Sequence, residues 1–154
     1  MVGPQTLKLD ITASCGSYFY EKLQPYRLDA GLEFYLVSLL SEYTNVQPQP
    51  ECLAFMLKDA VEAPPSLKIK HFKQMGDHCL AFSGCFREFV EAKSGRRYYD
   101  SMGRNAYNAT AGLVRDDDFH SLYRQLGQCV PELSDLIHSI FRKLPGKQGI
   151  RNTI

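Results

Sequence analysis

No apolar run in these 154 residues approaches the ~20 that a helix needs to cross a bilayer. The longest, Leu32 to Leu40, is interrupted by Glu33 and Ser38, so no membrane span is expected. Met1 to Asp10 lacks a basic stretch followed by an apolar core, which argues against a secretory leader. Charge of one sign is lacking too. A net charge of +1 gives no global field for DNA, RNA or an anionic membrane, and nucleic acid is not an expected partner. There is no Cys-x-x-Cys, no glycine-rich phosphate loop and no Gly-x-Ser-x-Gly elbow. The five cysteines, Cys15, Cys52, Cys79, Cys85 and Cys129, are odd in number and scattered. Reduced thiols in a cytoplasm are the expectation, with most of them filling core space.

Chelate spacing is missing as well. Two ligands on one helix share an ion when they lie three or four residues apart. His71, His78 and Cys85 share a helix face at sevenfold spacing, but each step of two turns is ~10.5 Å. No metal site and no cofactor is predicted. A haem held by a single histidine is compatible with the sequence, though nothing favours it.

What remains is ordinary globular composition, 44% hydrophobic with nine Phe and nine Tyr, patterned at helical spacing. The predicted fold is all-α, a single-domain bundle of five to six helices over residues 1–144, with a flexible tail at 145–154. The helices are expected at about Ile11–Leu23, Asp29–Tyr43 with Asp29 as N-cap, and Glu51–Glu62. A central helix at about 65–93 opens on Pro64 and Pro65. A fifth follows at about Arg97–Val114, and a last at Phe119–Lys143, N-capped by Asp118 and kinked or restarted at Pro131. The central helix carries the clearest seam: Ile69, Phe72, Gly76, Cys79, Ser83, Phe86 and Val90 alternate steps of three and four. Gly76, Ser83 and Gly84 on it, with Gly103 and Gly112 on the fifth helix, predict a close approach of those two.

If a ligand site exists, that approach is where to seek it. Asp77 and His78 on one helix, and Arg104, Asn105 and Asn108 on the other, are the candidate ligand-binding residues, set against a purely structural polar network. No catalytic residue is identified. Basic clusters at Lys68–Lys73, at Arg96, Arg97 and Arg104, and at the C-terminal end read as solvated faces. The leading functional expectation is a non-enzymatic protein-interaction or regulatory module, with a protein partner or self-association as a homodimer. The alternatives are a helical small-molecule or haem-binding protein with a pocket between the fourth and fifth helices, and an enzyme whose site assembles only in three dimensions.

The stretches MGDHCLAFSGCF at 75–86, YYDSMGRNAY at 98–107, and FHSLYRQL through PELSDL at 119–136 resemble a family of uncharacterised bacterial proteins of similar length. The likeness covers about the C-terminal half. It departs at Cys85, where that family tends to carry an aromatic residue. The resemblance implies a helical bacterial protein and supplies no catalytic residue.

Overall fold

The computed structural model describes residues 16–49 and 52–144. The expected tail at 145–154 and the expected start of the first helix at Ile11 lie outside the described residues. All regular structure among those described is helical. None of these helices is long and apolar enough to cross a membrane. The chain divides into two compact units between Val46 and Gln47, within the stretch read as a loop.

The first unit is a helical hairpin. Helix α1 (residues 16–23) runs into a 3-10 turn at Gln24–Tyr26 that holds Pro25. Arg27 reverses the chain in the left-handed region at φ 52°, its N–H donating to the Gln24 carbonyl. Helix α2 (Ala30–Tyr43) returns alongside, so that Gly16 faces Val37 and Ser41. Gln24 Nε2 donates to Glu33 Oε2 at 2.9 Å across the turn. Asp29 occupies the N-cap position as expected, but its carboxylate makes no capping hydrogen bond.

The second unit holds α3 (Leu53–Glu62), α4 (Pro65–Cys85), α5 (Arg87–Lys93), α6 (Arg96–Leu113), α7 (Asp117–Gln128) and α8 (Val130–Phe141). Helix α4 is its axis. From Met75 to Cys85 every residue but Asp77 is buried, and α6, α8 and α3 all pack on it, while α7 packs on α6. The expected seam is largely the buried face: Phe72, Gly76, Cys79, Ser83 and Val90 are all in the interior.

Among the described residues, eight helices replace the expected five to six because two long ones are broken. The central helix does not run to 93. It stops at Phe86, whose backbone turns to φ −124°, ψ 50°. There the Phe86 ring meets Phe82 and Phe141 edge-on, at 5.2 and 6.0 Å between centroids. Arg87 Nε donates to the Ser83 carbonyl at 3.1 Å, so a side chain serves an acceptor at the end of α4. The last helix is restarted rather than kinked. Cys129 breaks it at φ −114°, ψ 17°, and Pro131 sits in the first turn of α8, where its missing N–H costs nothing. The cap before α7 is Asp116, not Asp118: Asp116 Oδ1 accepts from Phe119 N at 3.0 Å, while Asp117 and Asp118 fall in the first turn.

The small residues act where helices cross. A Cβ on Gly103 would come within 3.0 Å of Cys79 Cβ, and one on Gly76 within 2.7 Å of the Tyr107 ring, which is the close α4–α6 approach expected from the sequence. Gly84 serves α8 instead: a Cβ there would lie 2.5 Å from Ile137 Cγ2 and 3.2 Å from the Ser134 carbonyl. Gly112 touches nothing within 4 Å. Gly84→Ala is therefore expected to destabilise the second unit by about 1–3 kcal/mol through overpacking. Gly112→Ala, at an exposed helical position, should instead stabilise it by about 0.5 kcal/mol. Urea unfolding of the two variants beside the parent chain checks both signs.

Candidate functional site

The five sequence-chosen residues fall in different settings. Asp77 lies in the α4–α6 crossing, where it accepts from Tyr107 Oη at 2.7 Å and from Lys73 Nζ at 2.7 Å. Because Gly76 has no side chain, the fully buried Tyr107 ring lies flat against α4 and its hydroxyl reaches that carboxylate. His78 is buried and faces aromatic surface. Its ring stacks on Phe82 at 4.0 Å between centroids, with Tyr99 at 6.3 Å, and Nε2 has no hydrogen-bond partner among the described residues. Arg104, Asn105 and Asn108 are exposed on α6. Asn108 and the Arg104 carbonyl flank Gly127 at the crossing with α7.

The best-built polar cluster is one that sequence reading did not assemble. Arg96, at the start of α6, uses its whole guanidinium. Nε donates to Asp100 Oδ2 at 3.0 Å, Nη1 pairs with Asp135 Oδ1 at 2.9 Å, and Nη2 donates to the Pro131 carbonyl at 2.8 Å and to Ser134 Oγ at 3.1 Å. Asp100, 8% exposed, takes its second bond from Ser83 Oγ at 2.7 Å. Arg87 joins from α5, donating to Asp135 Oδ1 at 3.0 Å and to Ser134 Oγ at 3.3 Å. One knot thus ties α4, α5, α6 and α8. Burial opposes the charge on Asp135, yet the hydrogen bonds from Arg96 and Arg87 prevail and hold its carboxyl below the usual range. The i,i+4 spacings of Ser83 with Arg87 and of Arg96 with Asp100 were legible signals. Asp135 was not, since only the restart at Cys129 brings α8 alongside.

Above this knot lies a concavity of about 870 Å³, lined by Arg96, Arg97, Asp100, Ser101 and Arg104 of α6, with Glu91, Gly95 and Pro131 at its edges. That size falls in the range of small-molecule clefts. Its acids are engaged: Asp100 by Ser83 and Arg96, and Glu91 Oε1 by the Arg96 backbone N–H at 2.8 Å. Arg97 and Arg104 have no ion-pair partner among the described residues.

Cys52 is exposed, whereas the other three described thiols are poorly placed for nucleophilic work. Cys79 and Cys85 are buried; burial, helped by Asp100, pushes the Cys79 thiol far up. Burial, with Glu132, also raises Cys129. His120 Nδ1 lies 2.7 Å from the Ala111 carbonyl. Among the described residues no group of three or more His, Cys, Asp or Glu could hold a metal ion. Comparison with known proteins finds no matching family model, no matching curated protein and no matching solved structure.

His78 generates a pH prediction. Burial lowers its pKa from 6.5 to about 4. Above pH 6.5 it is neutral in both states. As pH falls toward 4, only the unfolded chain takes up the proton, so stability is lost across that window and this contribution levels off below it. The loss is about 3 kcal/mol. His78→Phe keeps the stack and removes the titration. Denaturant unfolding between pH 7 and 4 should show the variant gaining on the parent by that order, and parallel pH profiles would refute the assignment.

Proposed function

We propose that the protein is a non-enzymatic binding module that recognises an anionic ligand in the α6 concavity through Arg97 and Arg104. What carries the reading is the charge balance there. The acids of the concavity are engaged within the chain, while two guanidinium groups line it with no counter-ion among the described residues. Arg97 and Arg104 are seven residues apart on one helix face, ~10.5 Å along the axis. Ser101 between them adds a hydroxyl donor. A guanidinium offers a planar fork that matches carboxylate or phosphate oxygens. The ligand that fits carries two such groups, or one extended polyphosphate. Arg96 does not bind it. With its donors committed to Asp100, Asp135, Pro131 and Ser134, it makes a rigid floor.

The absence of an activated nucleophile from this concavity favours recognition over catalysis. Cys79 and Cys85 are buried, Cys129 is pushed up, the exposed Cys52 does not line the concavity, and His78 is closed in by aromatic rings. The proposed setting is the cytoplasm of a bacterium, supported by the four cysteines among the described residues, all free, and by the resemblance over the C-terminal half.

Titration calorimetry with pyrophosphate and with citrate tests the reading. Binding should weaken about tenfold or more in Arg97→Ala/Arg104→Ala and fall with added salt, as expected for exposed charge pairing. Retention of the Arg96 knot keeps that variant folded, which circular dichroism checks. No binding of either anion, or binding equal in parent and variant, would rule the proposal out.

A further inference from the structure

A second face of the same unit points to a different partner. Helix α3 carries Phe55 and Val61, 68% and 54% exposed, and Tyr98 of α6 is 41% exposed. Between α3 and α6 runs a groove of about 470 Å³ lined by Leu57, Val61 and Tyr98 among others, with Lys58 and Glu62 on its rim. Val61 and Tyr98 meet at this groove, and Phe55 is exposed on the same helix α3. Large apolar side chains this exposed form the kind of patch that marks an interaction site. Aromatic anchors set among apolar neighbours supply most of the energy at such sites. The groove and the anion concavity sit on neighbouring stripes of α6: Tyr98 faces the first, Arg97 the second.

The rim charges indicate what covers the groove. Lys58 and Glu62 are one turn apart and pair with each other at 3.2 Å, both more than 60% exposed. A surface pair of this kind contributes only about 0.3–0.5 kcal/mol, so it is readily exchanged. Lay a second copy of α3 antiparallel across the first, with a two-fold axis near residue 60. Each Lys58 then stands opposite the other copy's Glu62, giving two reciprocal ion pairs around the apolar groove. An isologous interface requires this self-complementarity, because every contact occurs twice. We infer that the α3–α6 groove is the face through which two copies of this chain pair, α3 against α3, independently of any anion bound in the concavity.

Sedimentation equilibrium on the full chain is the test, with circular dichroism to verify folding of each variant. The parent is expected to run as a dimer, and Phe55→Asp and Val61→Asp as monomers; both sites are exposed, so the fold tolerates them. Lys58→Glu alone sets four carboxylates around the axis and should weaken pairing at least tenfold. Lys58→Glu/Glu62→Lys restores the opposite-charge pattern and should recover it. A parent that stays monomeric up to millimolar concentration overturns the inference and leaves the face to another protein or to residues outside those described. A dimer indifferent to Phe55→Asp and Val61→Asp pairs elsewhere and overturns it too. A dimer broken by the aspartates, with no recovery in the charge swap, rejects the antiparallel α3 arrangement.

Discussion

The second unit depends on one guanidinium. Arg96 meets Asp100 on its own helix, Asp135 and Ser134 on α8, and the Pro131 carbonyl at the start of α8, while Asp100 reaches Ser83 on α4. Burying charge is expensive unless every donor and acceptor is served. Here the acids and the arginine serve one another, so the cluster is stable only when all three helices stand in register. Directional bonds of this kind add what apolar packing lacks, a single permitted arrangement of α4, α6 and α8. Glycine allows the helices to stand close enough for it: Gly84 admits Ile137, and Gly103 admits Cys79.

The same economy shapes the surface. Because the knot consumes the local carboxylates, the arginines one residue and two turns further along α6 meet no neutralising group among the described residues. The knot also holds the α8 start, with Pro131, at the rim of the concavity. A structural network and a candidate recognition surface therefore come from one stretch of α6. Arg96 and Asp100 serve the interior, while Arg97 and Arg104 on the same helix face outward. On the neighbouring stripe, Tyr98 contributes to an apolar groove with α3.

The helical fold and the central place of α4 were readable from periodicity, because one wide apolar face repeated over six turns admits few arrangements. The α4–α6 contact was readable from small residues at Gly76 and Gly103. Gly84 was misassigned to that contact, since small size marks a close approach without naming the partner. The break at Phe86 left no local sign: Phe86, Phe89 and Val90 continue the helical spacing, and the bend arises from ring contacts with Phe82 and Phe141. Capping by Asp116 was ambiguous among three consecutive aspartates. Of the candidate residues, Arg104 lines the concavity and Asp77 meets Tyr107, whereas the Arg96–Asp135 pair joins residues 39 apart that no spacing rule connects.

A double-mutant cycle between Arg96 and Asp135 tests the central claim most directly. Arg96→Met, Asp135→Asn and the double variant are unfolded in urea beside the parent. If one guanidinium holds α6 to α8, the two substitutions are strongly non-additive, with a coupling of about 1 kcal/mol or more. Additive effects, to within a few tenths of a kcal/mol, would contradict the account and leave the helices held by apolar packing alone.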